Sequence, residues 1–408
     1  MKLKVFEAFA GYGSQSIALR NLGVDYEVVA ISEIDKYALQ AYYALHDTNI
    51  PNLGDISKLR VEDIPQHDLF TYSFPCQDIS TAGKQKGIER GYTRSGLLYE
   101  CERIIEGCRP KYLLLENVKN LVGKKFKPQF DKWLEYLEGL GYTNYWQVLN
   151  AKDYGVPQNR ERVFVVSILG EHKPYEFPAE IKLNRKLKNI LENNVEDKYN
   201  LKTVKEFFVK NSFDMEFKGN GFRFKPHIQK NAEIAYALTT RCGSRMDDNF
   251  IIDLNLPYTN FEYSIKALQQ MILNENYHNR FLNNLQLDYI MNKLPCGEEI
   301  KILGSTQNPN AEGVNCRHWV HDINGIIGCL SATDFKQPKQ ILDAIEGRIA
   351  IRKLTPRECF RLMGMKDEDI DKIQSAGISN TQQYKMAGNS IVINVLEEIF
   401  KNLFDINN

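Results

Sequence analysis

A cysteine that could act as a nucleophile follows directly after a short, buried strand. The run Asp68–Tyr72 is apolar and rich in β-formers, which is typical of a strand in a parallel sheet. Pro75 fixes its own backbone and keeps Phe74 extended, so Cys76 is expected on a rigid turn at the carboxyl end of that strand. Open α/β sheets bind their ligands at such ends. A lone cysteine is more often a buried structural residue, and the next strands decide between these two interpretations.

A carboxylate stands at the end of the next predicted strand. Lys111–Leu115 is an apolar run that predicts a buried strand, and Glu116 follows it. If this strand lies beside the strand before Cys76, the carboxylate and the thiol face the same crevice. Burial among apolar neighbours would then raise the pKa of Glu116 enough for it to share a proton near neutral pH.

Two arginines complete the set of residues that could do chemistry. Arg160 and Arg162 precede a predicted strand over Val163–Ile168, and side chains two residues apart in extended chain lie on the same side. An isolated pair of this kind can be a solvated edge. Beside a thiol and a carboxylate, however, two such arginines are hard to explain as packing. The candidate catalytic residues are therefore Cys76, Glu116, Arg160 and Arg162.

The elements that must position these side chains begin at the amino terminus. A strand over Lys4–Ala10 leads through a turn with Gly11 and Gly13 into a helix over Gln15–Asn21. Glycines let the backbone approach a ligand, although this turn lacks the third glycine of the dinucleotide fingerprint. Strand, glycine turn and helix in this order predict a doubly wound, mostly parallel α/β sheet.

Two acids beyond the glycine turn point to an adenosine-containing cofactor. Glu33 ends the second predicted strand, about 20 residues past the turn, where an acid can accept hydrogen bonds from ribose hydroxyls. It could equally be a solvated strand end. Asp55 could hold an exocyclic adenine amine, or it could simply cap a turn.

The composition excludes several other kinds of protein. Lys+Arg 52 balance Asp+Glu 52, so any binding of nucleic acid must depend on local patches. The 8 cysteines show no paired Cys/His spacing, and no metal site is predicted. Neither a signal peptide nor an apolar run long enough to cross a bilayer is evident, so no membrane contact is expected. Free thiols then indicate a reducing cytoplasm.

Six short blocks, taken in order, make the chain similar to the C5 cytosine DNA methyltransferases of bacterial restriction–modification systems. The blocks are Phe9-Ala-Gly-Tyr-Gly13, Phe74-Pro-Cys-Gln77, Glu116-Asn-Val118, Gln158-Asn-Arg-Glu-Arg162, Leu354–Gly364 and Gly388–Val392. They cover residues 3–169 and 345–405, and their residues also resemble the mollicute and firmicute members. The resemblance implies the fold of S-adenosylmethionine-dependent methyltransferases and sequence-specific methylation of cytosine C5 in double-stranded DNA.

The resemblance also implies a role for each candidate catalytic residue. Cys76 adds to C6 of a cytosine that has been flipped out of the duplex, which makes C5 able to attack the methyl group of S-adenosylmethionine. Glu116 holds the N3 edge and supplies a proton, and Arg162 binds O2. Arg160 and the polar loop after Cys76 are candidates for lowering the pKa of the thiol. No residue is an obvious base for removing the C5 proton, so we expect a water molecule to accept that proton.

Cofactor and DNA contacts follow from the same resemblance. The predicted cofactor-binding residues are Phe9, Ala10, Gly11, Tyr12, Gly13, Glu33, Ile34, Asp55, Ile56, Pro75, Leu98, Asn389 and Ser390. The predicted DNA-binding residues are Gln77, Ser80, Lys84 and Arg94 in the loop after Cys76, and Arg241, Arg245 and Arg317 further on. We expect a monomer, and a cognate restriction endonuclease could act on the same site without forming a stable complex.

Three parts are predicted along the chain. Residues 1–177 form a catalytic and cofactor-binding domain, 178–340 a smaller irregular α+β target-recognition domain, and 341–408 a hinge and helices that return to the first domain. Within the recognition region, Ala237–Arg241 and Cys329–Thr333 both resemble the threonine-rich recognition turn of the family, and the sequence does not decide between them.

Other functions fit the residues less well. An RNA (tRNA) cytosine-5 methyltransferase would carry a far smaller recognition region. A non-catalytic DNA-binding relative would be expected to lack Cys76 or Glu116, and both are present. A nucleotide-binding dehydrogenase fits Glu33 but leaves Cys76 and the arginines unexplained. The DNA sequence that is recognised cannot be read from the chain.

Overall fold

The structure, a computed structural model, describes part of the chain. The described residues are 2–46, 48–80, 87–89, 91–193, 195–199, 227–228, 234–238, 240, 249–253, 302–305, 319–321 and 350–406. Four predicted DNA contacts, Lys84, Arg241, Arg245 and Arg317, lie outside these residues, and so does Cys329–Thr333.

Two compact units divide the chain. The first consists of Met1–Ile190, Glu233–Cys242 and Pro356–Asn408, and the second of Leu191–Ala232 and Gly243–Thr355. The chain therefore leaves the first unit twice and returns to it twice. Residues 178–190 and 233–242 belong to the first unit in this division, whereas the sequence analysis assigned both stretches to the recognition domain.

A mixed, mostly parallel sheet forms the centre of the first unit. The strands of this part of the chain are β1 (Leu3–Ala8), β2 (Tyr26–Ser32), β3 (Leu69–Tyr72), β4 (Tyr112–Val118), β5 (Tyr142–Asn150), β6 (Gln158–Asn159) and β7 (Glu161–Leu169). All except β6 join one sheet in the order β2-β1-β3-β4-β7-β5. The pairs among β1 to β4 are parallel, and β7 runs antiparallel to β4 and β5. The predicted fold class is confirmed.

Helices flank this sheet. They are α1 (Ser14–Asn21), α2 (Lys36–Leu45), α3 (Leu98–Cys108), α4 (Lys127–Gly139), α5 (Pro356–Arg361), α6 (Asp367–Ser375), α7 (Asn380–Asn389) and α8 (Ile393–Leu403). The amphipathic α8 packs against α1, and a hydrogen bond of 2.7 Å from Asn21 Nδ2 to Glu397 Oε1 joins the two helices. An ion pair between Arg20 and Asp369 ties α6 to α1 in the same way. The last part of the chain thus returns to the sheet.

The described residues of the second unit include short strands in two small sheets. These strands are β8 (His227–Ile228), β10 (Phe250–Asp253), β11 (Ile302–Ser305), β12 (Trp319–His321) and β13 (Ala350–Lys353), while β9 (Ala235–Tyr236) belongs to the first unit and pairs with β6. One sheet has the order β13-β10-β8, and β11 pairs antiparallel with β12.

Register in the first unit confirms that the strands before Cys76 and Glu116 are neighbours. In the parallel pair β3–β4, Tyr72 lies opposite Leu115, so the chains continue side by side into Ser73 and Glu116. All four residues of β3 are buried. The rings of Phe70 and Tyr72 stack at a centroid distance of 5.1 Å. Each buried side chain of this kind stabilises the fold by about 1.5–3 kcal/mol, which fixes the strands that position the crevice.

A fully buried acid on β1 was not among the predicted site residues. Glu7 has no exposed surface, and its carboxylate accepts hydrogen bonds from Ser16 Oγ at 2.8 Å and Tyr42 Oη at 2.9 Å. Burial raises the pKa of Glu7 to about 7, and the two hydroxyl donors only partly oppose that shift. The folded protein therefore binds a proton at Glu7 in a pH range where the unfolded chain has already released it.

We predict from this that Glu7 makes the protein less stable as the pH rises. Between the unfolded pKa near 4.5 and the folded pKa near 7, the folded state holds more protons, so the free energy of unfolding falls by about 3 kcal/mol across that window. Urea denaturation of the wild type and of Glu7→Gln checks this. The difference between the two proteins should change with pH over that window, and a constant difference would contradict the buried, proton-holding state of Glu7.

Candidate active site

A cavity of about 290 Å³ lies at the carboxyl ends of the parallel strands. All four candidate catalytic residues line it, as does Gln77. The predicted cofactor residues in its wall are Phe9, Ala10, Gly11, Tyr12, Glu33, Ile34, Asp55, Ile56, Pro75, Asn389 and Ser390. Residues that the sequence analysis did not select also line it, among them Ser73, Asn117, Asp35, Leu97 and Lys385.

The turn that carries Cys76 is held through its backbone. Asn117 Nδ2 donates a hydrogen bond of 3.0 Å to the carbonyl of Phe74, and Ser95 Oγ donates one of 2.6 Å to the carbonyl of Pro75. Asn117 is 1% exposed, so its bond is shielded from water. Cys76 is thereby fixed between β4 and the start of α3, with its side chain half-buried.

One aspartate just after Cys76 binds the backbone just before α3. Asp78 Oδ2 accepts hydrogen bonds from the backbone N–H of Arg94 at 2.8 Å and of Ser95 at 3.4 Å. Arg94 Nη1 also donates a hydrogen bond of 2.6 Å to Gln77 Oε1. These two predicted DNA contacts, Gln77 and Arg94, therefore lie together on the surface of the unit, next to the Cys76 turn. Ser80 bonds through its backbone N–H to the carbonyl of Cys76 at 2.8 Å.

Glu116 and Arg162 form an ion pair inside the cavity. The distance from Arg162 Nε to Glu116 Oε1 is 3.1 Å, and Glu116 is only 7% exposed. Burial raises the pKa of Glu116, against the opposing effect of Arg162, Arg160 and a hydrogen bond with Ser73. The direction is the one expected from the sequence. Such a carboxyl group can hold or release a proton closer to neutral pH than an exposed one.

The thiol of Cys76 has a raised pKa. Burial has the largest effect and the charge of Glu116 adds to it, whereas Arg162 and Arg160 act in the opposite direction. Arg160 therefore acts in the direction predicted from the sequence, but the pKa of the thiol stays above its ordinary value in the protein without substrate. The arginines moderate the shift but do not reverse it, because the sulfur lies in a poorly solvated place beside a carboxylate.

Arg160 donates its hydrogen bonds to backbone carbonyls. Its Nη1 donates a hydrogen bond of 3.1 Å to Leu238 O, and its Nη2 donates bonds of 3.0 Å to Gly388 O and 2.8 Å to Ser390 O. The side chain is 3% exposed, and burial lowers the pKa of Arg160 to about 9. Arg162, two residues on, faces the carboxylate instead, so the two arginines have different environments.

The glycine turn after β1 is held by the predicted acid. Glu33 Oε2 accepts the backbone N–H of Gly11 at 2.8 Å, and Oε1 accepts those of Ile34 at 2.9 Å and Asp35 at 2.7 Å. Phe9 has a φ of 54°, a strained value for a residue with a side chain. The Glu33 carboxylate thus locks the turn at the same time as it lines the cavity.

Two predicted cofactor residues do not line the cavity. Gly13 precedes α1 with a φ of 81°, and a Cβ there would stand 2.5 Å from His46 Nε2. Glycine is therefore required at this position by the backbone conformation and by the close approach of His46. Leu98 is buried in the core, and its neighbour Leu97 lines the cavity instead. Asp55 lines the cavity and also caps a turn, since it accepts bonds from the backbone N–H of Ser57 at 3.0 Å and from its hydroxyl at 2.8 Å.

An ion pair at the cavity joins two elements far apart in sequence. Lys385 Nζ of α7 lies 2.5 Å from Asp35 Oδ2. Asp35 also caps α2, because its Oδ1 accepts the N–H of Tyr37 at 2.9 Å. The signal in the sequence was an acid directly before a helical stretch, which predicts a cap, but nothing in the sequence predicts the lysine partner.

In the part of the chain that the structure describes, no three histidine, cysteine or acidic side chains come together as a metal-binding group. Within the same residues, no helix combines the length and apolar character needed to span a bilayer.

Comparisons with known proteins agree with the blocks. A family model described as C-5 cytosine-specific DNA methylase matches residues 3–405. The type II methyltransferase M2.ScrFI of Lactococcus lactis subsp. cremoris is 34% identical, over 98% of this chain and 99% of its own. The orphan methyltransferase M.SPRI of Bacillus phage SPR is 29% identical, over 98% of this chain and 97% of its own.

Solved structures show the same fold at low sequence identity. The methyltransferase EhMeth of Entamoeba histolytica has a TM-score of 0.64 at 15% identity, covering 99% of this chain and 98% of that one. The Dnmt2 methyltransferase of S. pombe has a TM-score of 0.61 at 16% identity, covering 99% of each chain.

The coupling of Cys76 to Glu116 can be measured directly. Glu116→Gln removes the negative charge that helps to raise the pKa of the thiol, so the pKa of Cys76 should fall and its alkylation by iodoacetamide at about pH 8 should become several-fold faster. Peptide mass spectrometry can follow the Cys76 peptide, with fully buried Cys101 as an unreactive internal control. An unchanged or slower rate at Cys76 would contradict the electrostatic coupling.

Proposed function

We propose a catalytic mechanism for this chain, which belongs to the C-5 cytosine-specific DNA methylase family. The chain is a DNA (cytosine-5)-methyltransferase. One observation carries the proposal: Cys76, Glu116 and Arg162 line the same cavity at the carboxyl ends of adjacent strands, and Glu116 and Arg162 are paired at 3.1 Å. A nucleophile, a proton donor and a positive group meet where such sheets bind their ligands.

S-adenosylmethionine is the proposed methyl donor, and the cavity wall supports it. The wall offers an apolar side with Phe9, Ile34 and Pro75, and acceptors at Glu33 and Asp55 for hydroxyl and amino groups. Ile34 is 76% exposed, which suits a side chain that a ligand would cover. Asn389 and Ser390 also line the cavity. Leu97 replaces Leu98 in the proposed set, and Gly13 is retained as a residue that shapes the turn.

The buried Nε–H of Arg160 also fits a ligand in this cavity. Among the described residues it has no hydrogen-bond partner, although Arg160 itself lines the cavity. A buried donor without a partner destabilises the protein until an acceptor reaches it. When bound, S-adenosylmethionine supplies the sulfonium-activated methyl group.

Cys76 performs the covalent step. Its thiol releases a proton to water, and Sγ forms a bond to C6 of the cytosine, which moves the electron pair of the C5–C6 double bond toward C5 and N3. The raised pKa of the thiol means that this proton is still present before the substrate binds. The methyl group would reach C5 with cleavage of its bond to the donor sulfur, which leaves S-adenosylhomocysteine. The C5 hydrogen then leaves to water as a proton, the double bond reforms and Sγ departs as thiolate.

Glu116 and Arg162 hold the base during this step. The raised pKa of Glu116 suits a carboxylic acid that donates a proton to N3 as charge develops and takes it back afterwards. Arg162, 19% exposed on its side chain, keeps donors for the O2 atom while its Nε holds Glu116. The pair therefore orients the carboxyl group and neutralises the ring in the transition state.

The base must leave the duplex to reach Cys76. Unstacking costs a few kcal/mol, and the loop over Asp78–Ser95 is the proposed segment that closes on the flipped cytosine. We assign DNA contacts to Gln77, Ser80 and Arg94 there, and to Lys84. Residues 178–340 are the proposed recognition region, with Arg241, Arg245 and Arg317 as candidates for contacts to bases or phosphates.

The biological setting is proposed by analogy with the relatives. We propose a monomer that acts on double-stranded DNA in the cytoplasm. The 34% identical relative is a type II methyltransferase. By that analogy, a restriction endonuclease of the same specificity would be the functional counterpart of this enzyme, without a stable complex between them.

Cys76→Ala tests the mechanism. The variant should bind S-adenosylhomocysteine as the wild type does but lose methyl transfer by at least about a thousandfold, because no other group can add to C6. Tritium transfer from labelled S-adenosylmethionine to duplex DNA and to tRNA measures this, and bisulfite sequencing of plasmid from an expressing host gives the site. Methyl transfer retained by Cys76→Ala, or tritium incorporated into tRNA but not into DNA, would contradict the proposal.

A further inference from the structure

We propose that Arg160 is a positioning residue that holds two backbone segments to the strand carrying Arg162. One is the end of α7, where Gly388 and the following Ser390 line the cavity, and the other is the backbone at Leu238, two residues before Thr240. This inference rests on the proposed function. It gives Arg160 a different role from the activation of Cys76 by charge, which the sequence suggested.

The hydrogen bonds of the Arg160 side chain all go to backbone carbonyls. A guanidinium group has five N–H donors in a fixed fork, and Arg160 directs three hydrogen bonds to backbone carbonyls at 2.8–3.1 Å. None of these bonds goes to Cys76. A residue placed to stabilise a thiolate would direct its donors to the sulfur, whereas a fork that bridges separate carbonyls fixes their relative positions.

The segments joined by these bonds are remote in sequence. Gly388 lies 228 residues and Leu238 lies 78 residues from Arg160 along the chain. Gly388 and Ser390 both line the cavity. A substitution of Arg160 therefore removes hydrogen bonds from two residues of the cavity wall.

Gln158 holds the Leu238 segment from a second side. Its Oε1 accepts the backbone N–H of Leu238 at 2.9 Å, and its Nε2 donates a bond of 2.6 Å to Leu362 O. The side chain has no exposed surface. Leu238 thus has its N–H bound by Gln158 and its carbonyl by Arg160. Thr240, two residues on, is exposed on a turn and belongs to one of the two recognition-like segments.

Burial makes the fork sensitive to substitution. Arg160 is 3% exposed, so each carbonyl that loses its donor stays unpaired in a place that water reaches poorly. Lysine lacks the fork, so it cannot span the three carbonyls. Arg160→Lys therefore removes the fork while keeping a long basic side chain at this position.

Arg160→Lys should weaken the binding of both cofactor and DNA. We expect the affinity for S-adenosylhomocysteine, measured by calorimetry without DNA, to fall by about tenfold or more, and KM for DNA to rise by a similar factor. Because burial also lowers the pKa of a lysine in this place, any loss of its charge moves the pH profile of Cys76 alkylation to higher pH, so the binding measurements report the loss of the fork separately. Gln158→Leu should raise KM for DNA several-fold and leave the affinity for S-adenosylhomocysteine unchanged.

Arg60→Lys is the matched control. Arg60 also makes a forked pair, with Nε and Nη2 at 2.8 and 2.7 Å from the carboxylate of Asp63, but its side chain is 73% exposed and it does not line the cavity. Its affinities and its KM for DNA should match the wild type. Thermal unfolding of each variant confirms that the protein measured is folded.

Two results would overturn the inference. One is an Arg160→Lys protein with wild-type affinity and KM, whether or not its alkylation profile moves to higher pH. The other is an unchanged KM for DNA in Gln158→Leu, which also decides the matter if Arg160→Lys does not fold. A wild type that binds S-adenosylhomocysteine but methylates no nucleic acid would instead contradict the proposed function, and the binding measurements would still test the cofactor wall.

Discussion

Opposite charges buried in one crevice are the constraint on which the active site depends. A carboxylate as shielded as Glu116 is unfavourable unless a positive group lies beside it, and Arg162 meets that need at 3.1 Å. Each charge in the crevice also acts on the Cys76 sulfur, with Glu116 raising its pKa and the arginines opposing that shift. Protonation of the thiol is therefore a property of the whole group of side chains.

Around these charges, the backbone is fixed by side chains that do no chemistry. Asn117 and Ser95 bind the carbonyls of the two residues before Cys76, and Glu33 binds three N–H groups at the turn after β1. A nucleophile that must meet a base within a few tenths of an ångström needs such support. The strained φ of Phe9 persists because the surrounding bonds over-determine the turn.

The return of the chain to the first unit gives the cavity its last wall. Gly388 lies in the last turn of α7 and Ser390 follows that helix, and α8 then packs on α1. A tandem arrangement of domains could not supply this wall, because it is built from the end of the chain against elements from its beginning. The carbonyls of this wall are bound by Arg160, which stands just before β7. The guanidinium group of Arg160 thereby joins the start of β7 to the part of the cavity wall formed by Gly388 and Ser390.

Much of this architecture could be read from the sequence. Apolar runs with polar residues at their ends predicted β1 to β4 and the edge of the sheet where Cys76 and Glu116 meet, because side-chain period and chain-breaking residues are local properties. The helix α8 was predicted for the same reason. The polar α6 and α7 carried too weak an apolar pattern to be predicted. Local patterns also could not separate Leu97 from Leu98, since that difference depends on which side of the helix start faces the core.

The sequence by itself determined which groups could do chemistry and on which strands they stand. Only the tertiary structure decided how those groups affect one another. The pKa of a thiol depends on solvent exclusion and on charges brought near it by folding, so the raised pKa of Cys76 could not be read from its neighbours in the chain. In the same way, residue spacing showed that Arg160 and Arg162 share a side, but the carbonyls that receive the donors of Arg160 come from segments 78 and 228 residues away.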